Sequence, residues 1–265
     1  MDLFHLIILG IVQGFTEFLP VSSSAHLVLL PKLAGWKDQG LAYDIAAHLG
    51  SLIAVFIYFR SELHRIGIDW LRSLGGQALT REACLCWYLI AGTLPIAVAG
   101  YLMYDTVATL FRSPVLIAAA TITFGLLLWW ADLTGKRARG EGQLALKDAI
   151  WVGLAQVLAL IPGTSRSGIT ITAGLMLGLD RRSAARFSFL LAIPVILLAG
   201  GHEIYRFQIL DADIDVPAFV AVLAVSAASA WLAIGIFLAL IERIGMLPFV
   251  IYRLALGVLL LYLFA

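Results

Sequence analysis

The sequence predicts an all-α integral membrane protein with about six transmembrane helices plus two re-entrant helix pairs, arranged as an inverted-topology internal repeat. Three observations predict it. First, 62% of the 265 residues are apolar and only 13% are charged, against about a quarter charged in an ordinary soluble domain. Second, apolar runs recur along the whole chain with no polar domain between them, and the alternation expected of an outer-membrane barrel strand is absent. Third, two of the runs, one in each half, are interrupted in the middle by proline and serine. The net charge of +1 gives no reason to expect nucleic acid as a partner.

The first run covers residues 3–34 and is broken by Pro20 and the serines that follow it. It lacks a basic leading segment, and Gln13 and Glu17 interrupt it, so it is not expected to be a cleaved signal peptide. It is too interrupted for one helix and too apolar for a loop, which suggests a half-helix in, a turn near the midplane and a half-helix out. Spans follow at about 41–59, 83–104 and 115–133, each near the roughly 20 residues a crossing needs. Cys84 and Cys86, two apart in an apolar run, suit neither a disulfide nor a zinc site and read as apolar filler. A polar, basic linker at 134–147 precedes the second broken run, 148–178, interrupted at Pro162-Gly163. Spans at 184–205, 217–241 and 247–264 complete the chain.

Basic residues set the orientation. Twelve of them (Arg60, Arg65, Arg72, Arg81, Lys136, Arg137, Arg139, Lys147, Arg181, Arg182, Arg186 and Arg243) fall on one face, which should be cytoplasmic. Lys32, Lys37, Arg112 and Arg206 fall on the other, with the acidic loop of Asp211, Asp213 and Asp215. Both termini then lie outside. The chain reads as a single membrane domain, 1–265, with a first repeat 1–133, the cytoplasmic linker 134–147 and a second repeat 148–265 of opposite topology. Such repeats place their binding site between the halves near the midplane, where the turns at 19–24 and 162–168 would meet.

The turns carry the chemistry. Gln13 and Glu17 are four apart and share a helical face. A carboxylate inside a bilayer is costly unless solvated, paired or metal-bound, which makes Glu17 a functional candidate; the alternative is a purely structural pair with a buried arginine. Pro20 ends the first half-helix, and Ser22, Ser23 and Ser24 are expected to cap the returning one, with His26 following. Pro162, Gly163, Thr164, Ser165, Arg166, Ser167, Gly168 and Thr170 repeat that logic. Two helix starts with their N–H groups turned inward suit an anion, and Arg166 can take phosphate oxygens two at a time. Capping and close helix packing alone would also account for any one serine. Asp44 and His48, four apart, either support the site or are satisfied locally. Gln156 occupies the place of Gln13 in the second repeat, and Arg186, Arg206 and Arg253 read as interface or packing residues.

At these turns the sequence resembles the bacterial undecaprenyl-pyrophosphate phosphatase family, the integral-membrane type linked to bacitracin resistance. Its first motif stands here as Gln13-Gly14-Phe15-Thr16-Glu17, followed by Phe18-Leu19-Pro20-Val21-Ser22-Ser23 and His26. Its second, Pro-Gly-x-Ser-Arg-Ser-x-x-Thr, stands at Pro162 to Thr170 with every fixed position matched. The resemblance covers essentially the whole chain; Gln13 is one of two residues allowed there, so this copy does not present two carboxylates.

The resemblance implies hydrolysis of undecaprenyl pyrophosphate to undecaprenyl phosphate and phosphate at the outer side of the inner membrane, recycling the carrier for peptidoglycan. It implies a divalent cation, Mg2+ or Ca2+. Glu17 with Gln13 would hold the cation, and His26 would serve as general acid or base. Arg166, Ser165, Ser167, Gly163, Thr164, Ser24 and Thr170 would hold the pyrophosphate. The nucleophile stays open: Ser23 first, then Ser22 or Ser165, or a water activated by Glu17 or His26. The lipid substrate and bilayer lipid are the expected partners, and homodimer formation is left open. The competing reading is a transporter or flippase of an anionic prenyl phosphate lipid, since inverted repeats with broken helices serve carriers equally well.

Overall fold

The computed structural model describes residues 2–37, 39–110, 113–207 and 215–264. Apart from one isolated β-bridge between Arg139 and Leu179, the regular structure among these residues is helical. The first broken run is α1 (Leu3–Phe18) and α2 (Ser23–Ala34); α3 (Leu41–Tyr58), α4 (Arg60–Leu74), α5 (Arg81–Leu110) and α6 (Pro114–Thr134) follow. The second broken run is α7 (Leu146–Gln156), a short 3-10 turn and α8 (Arg166–Met176), followed by α9 (Arg181–Phe207), α10 (Val216–Ile244) and α11 (Leu247–Phe264). Helices α3, α5, α6, α9, α10 and α11 are long and apolar enough to cross a membrane, and they fall on the six expected spans. Arg112, Asp211 and Asp213 lie outside the described residues, as does the side chain of Arg206. Asp215 is described: its side chain caps α10 by accepting from the Ala218 N–H at 3.1 Å.

One expectation needs correction. The connection after the span at 41–59, which lies outside every expected helical run and contributes Arg60, Arg65 and Arg72 to the basic face, is the helix α4. Its apolar residues recur at helical spacing (Leu63, Ile66, Trp70, Leu74) among arginines and acids, so an amphipathic helix forms although nothing there is apolar enough to span.

The surface is turned inside out relative to a soluble protein. Leu94, Val98, Trp130, Ile251 and Tyr262 are exposed, while Gln13, Glu17, Ser51, Gln156, Ser188 and Arg253 are buried. That inversion suits a lipid solvent, where polar side chains must find partners inside the bundle.

Ion pairs and ring contacts fix the two ends of the bundle. Arg186 pairs with Glu62 at 2.5 Å and also with Glu141. Arg181 holds Asp132 at 2.6 and 2.9 Å, and Asp132 in turn accepts from the Met246 N–H. Arg139 bonds Asp148 and the Leu177 carbonyl, drawing the start of α7 to the end of α8. These contacts gather α4, the 134–147 linker, the start of α9 and the α10–α11 connection at one end. Burial raises the pKa of Glu141 there against the lowering pull of Arg186. At the other end His5 stacks on Trp36 at 4.1 Å, so the start of α1 lies beside the end of α2. Lys32 sits 6.0 Å from the Phe264 ring, bringing in the end of α11.

Small residues let the helices close. A Cβ on Gly153 of α7 would strike the backbone of Gly92 on α5, while one on Gly67 of α4 would meet nothing within 4 Å. The same substitution should therefore act with opposite signs. Gly153→Ala is expected to destabilise by about 1–3 kcal/mol through overpacking. Gly67→Ala should gain up to about 1 kcal/mol of helix propensity. Thermal unfolding of both variants in detergent checks the pair, and a stable Gly153→Ala would show that α5 and α7 do not need backbone contact.

Candidate active site at the two helix breaks

Both breaks arise from local chemistry. Pro20 follows α1, Leu19 leaves the helix in extended geometry, and α2 restarts after Ser22 at φ 72°. At the second break Gly163 takes φ 95°, and α8 restarts after Ser165 at φ 69°. Only three non-glycine residues among those described have positive φ, and two of them are these serines. Left-handed geometry at a non-glycine residue is costly and tends to be kept at functional sites. Ser165 caps as expected, accepting from the Gly168 N–H at 3.1 Å. Ser22 does not: its side chain makes no cap bond, because its Oγ lies 3.3 Å from Ser24 Oγ instead.

The turns meet, and Glu17 stands where they do. Its Oε1 accepts from Arg166 Nη2 at 3.0 Å. Its Oε2 accepts from Ser23 Oγ at 2.7 Å and Gln13 Nε2 at 3.0 Å, with His48 Nε2 3.8 Å away. His48, on α3, therefore belongs to the site, while Asp44 accepts from Gln39 at 2.6 Å. Arg166 also donates to the Ser188 carbonyl at 2.9 Å, and its guanidinium lies 5.9 Å from the Phe18 ring. Glu17 is 8% and Arg166 11% exposed, so the pair is nearly dry.

Three hydroxyls face different fates. Ser23 is half-buried, Ser24 is exposed and Ser22 is buried. His26 does not join the carboxylate cluster. Its Nδ1 lies 2.7 Å from the Ser22 carbonyl and its Nε2 2.6 Å from Tyr252 Oη on α11. In the second turn Ser167 donates to the Leu19 carbonyl at 2.8 Å, and its Oγ lies 3.2 Å from Ser165 Oγ. Thr170 bonds the Arg166 carbonyl and Ser188 Oγ. Ser167, Thr170, Gly163 and Thr164 are buried, so their hydroxyls and backbone brace the turn from inside, while Arg166 and Ser23 are more open.

Arg253, expected to be an interface or packing residue, is the largest fully buried side chain among the described residues. Its guanidinium donates to the carbonyls of Thr121 (3.1 Å), Pro20 (3.4 Å), Gly163 (3.0 Å) and Thr164 (2.9 Å). Breaking two helices in the interior of the bundle strands backbone carbonyls, and Arg253 donates to those of both turns at once. Gly163 is needed under it, since a Cβ there would strike the Ile117 carbonyl and approach Thr121 Oγ1 to 3.0 Å.

A cation would find oxygen donors beside Glu17. Gln13 Oε1 is buried with no hydrogen-bond partner among the described residues, next to the carboxylate its own amide nitrogen bonds. That set suits a hard cation, although it holds one carboxylate and no group of three or more His, Cys, Asp or Glu gathers among the described residues.

Residues 6–259 match the family described as bacitracin resistance protein BacA. The chain belongs to the BacA family. An undecaprenyl-diphosphatase of Nitrosococcus oceani is 54% identical to it over 265 residues, the whole of both chains. One from Thioalkalivibrio sulfidiphilus is equally similar over the same length. Undecaprenyl-diphosphatase 2 of Stutzerimonas stutzeri is 54% identical over all of this chain and 99% of its own. As a BacA family member with six apolar spanning helices, the chain is a multi-pass membrane protein.

Proposed function

We propose that this protein is an undecaprenyl-diphosphatase of the bacterial inner membrane, hydrolysing undecaprenyl pyrophosphate to undecaprenyl phosphate and inorganic phosphate, with its site open to the outer side. The observation that carries the reading is the Glu17 carboxylate, held between Arg166 and Ser23 where two broken helices meet. The relatives' name supplies the substrate, and the exposed apolar helices supply a lipid-facing wall for its tail. The arginine-rich end that gathers α4 and the linker is the cytoplasmic one on this reading.

The two broken pairs are re-entrant, entering and leaving at the same end, and they head two repeats of opposite topology. Supporting this, α1 packs on α10 of the other half while α7 packs on α5, a reciprocal exchange. The breaks also restart on serines of matching left-handed geometry.

In the reaction Arg166 holds the pyrophosphate and stabilises charge on the transferring phosphoryl group. Ser23 is the nucleophile that this geometry favours, because its hydroxyl donates to Glu17 and is less enclosed than Ser22 or Ser165. Its oxygen bonds the terminal phosphorus, its proton goes to Glu17, and the bond to the undecaprenyl phosphate oxygen breaks. His26 then serves the water that cleaves the phosphoserine and frees phosphate. Glu17 and Gln13 Oε1 would hold a Mg2+ or Ca2+ ion, which when bound neutralises phosphate charge.

Purified protein in detergent should release phosphate from undecaprenyl pyrophosphate with added Mg2+ or Ca2+, lose most of that activity with a chelator, and regain it on readdition. Release that ignores the chelator would remove the cation from the reading. No release from folded protein would sink the enzyme and favour a carrier of an anionic prenyl lipid.

A further inference from the structure

His26 has both ring nitrogens engaged, and neither partner belongs to the Glu17 cluster. The Ser22 carbonyl can only accept, so Nδ1 must carry a proton toward it at 2.7 Å. In the neutral ring this leaves Nε2 as the basic atom, and Nε2 receives the Tyr252 hydroxyl at 2.6 Å. The two rings are nearly parallel, 6° apart in plane with centroids 5.6 Å apart. Ser22 precedes α2, and its carbonyl also accepts the His26 backbone N–H, so the Nδ1 contact is built into the helix start. Tyr252 is 46% exposed, whereas its neighbour Arg253 is fully buried and clamps the turns. Two successive residues of α11 thus reach the site, Tyr252 at His26 and Arg253 at the backbone of both turns.

We infer that Tyr252 is a catalytic residue of this site, the hydroxyl through which His26 exchanges its proton, from the closed chain of Ser22 carbonyl, His26 and Tyr252. The inference rests on the phosphatase reading for what the proton is used for, but not for the chain itself. When the hydrolytic water attacks, it gives its proton to Tyr252 Oη as Tyr252 gives its own to His26 Nε2. One O–H bond forms on tyrosine as another breaks, tyrosine stays neutral, and the imidazolium is stabilised by the Nδ1–H bond to Ser22. Direct exchange between water and His26 Nε2 would require breaking its 2.6 Å hydrogen bond to Tyr252, whereas exchange through the hydroxyl keeps it.

The test has two arms. Tyr252→Phe keeps the ring and removes only the hydroxyl, and should lower kcat about ten- to a hundredfold with KM within about twofold, a fraction of what a full acid–base residue contributes. In a His26→Ala background the same change should cost nothing further, because both act on one proton. Independent multiplicative losses, or full kcat in Tyr252→Phe, would overturn the relay. The second arm uses 15N-labelled histidine in detergent-purified protein, with His26 assigned by the signal lost in His26→Ala. The expected spectrum shows a protonated Nδ1 and a bare Nε2 whose shift changes in Tyr252→Phe. An Nε2-protonated neutral ring, or no change in Tyr252→Phe, would overturn the inference. If wild type released no phosphate, the enzyme reading would fall, and the spectrum alone would still decide whether Tyr252 holds His26 Nε2.

Discussion

Glu17→Gln and Arg166→Gln are each expected to lower phosphate release by about a thousandfold or more, as loss of an arginine clamp on a transferring phosphoryl group does. Each should also destabilise the protein, because each leaves the other charge buried without its partner. Breaking a buried pair from one side costs about 3–5 kcal/mol, whereas removing both charges is often close to neutral. The two effects separate two roles. If the pair is only structural, with neither charge acting on phosphate, the double variant recovers both folding and activity. If the pair performs chemistry, the double variant recovers thermal stability and stays inactive. Unfolding midpoints in detergent and phosphate release, measured on all four proteins, read the two cycles side by side. The burial of Glu17 and Arg166, at 8% and 11% exposed, is why the structural cycle should be large; a solvated pair would show little. Additive stability losses would mean that the 3.0 Å contact carries no coupling.

How much of this was legible in the residues depends on what each one binds. The six spans follow from apolar composition alone, which a bilayer reads directly. The two breaks were legible because Pro20 and Pro162-Gly163 stand beside runs of serine; proline alone would not have told them apart from Pro95 and Pro194, which lie inside α5 and α9. Glu17 and Arg166 were legible as charges with no place in an apolar run, and each answers the other. The helix α4 was hidden because charge counting treats any polar connection as loop, although its apolar spacing carried the signal. His48 was left undecided, since spacing from Asp44 says nothing about its distance to a carboxylate on another helix. Ser188 and Tyr252 sit in membrane-spanning helices, and their partners lie 18 and 226 residues away. Such pairings are set by packing, which no local pattern reports.

Arg253 was the hardest of all to read, because its hydrogen-bond partners among the described residues are backbone carbonyls rather than a complementary side chain. The same fact makes its replacement severe. Exchanging a buried ion pair for apolar residues can be neutral because both polar partners leave together. Here Arg253→Met removes the donors and leaves the carbonyls of Pro20 and Thr164 stranded inside the bundle, with Gly163 keeping only the Thr121 hydroxyl at 3.3 Å. At about 1–3 kcal/mol for each unsatisfied buried acceptor, the loss takes several kcal/mol from a total stability of about 5–15 kcal/mol. Arg253→Met is expected to accumulate poorly in membranes and to unfold well below wild type in detergent. Arg253→Lys keeps the charge but replaces the planar fork with one ammonium, which cannot reach carbonyls on both turns in the same way. It should fold with a smaller loss and keep only part of the activity, because the turns carrying Ser23 and Arg166 are no longer tied to one another. An Arg253→Met protein as stable and as active as wild type would show that water, rather than this guanidinium, satisfies the broken helices. The clamp would then be a packing residue after all.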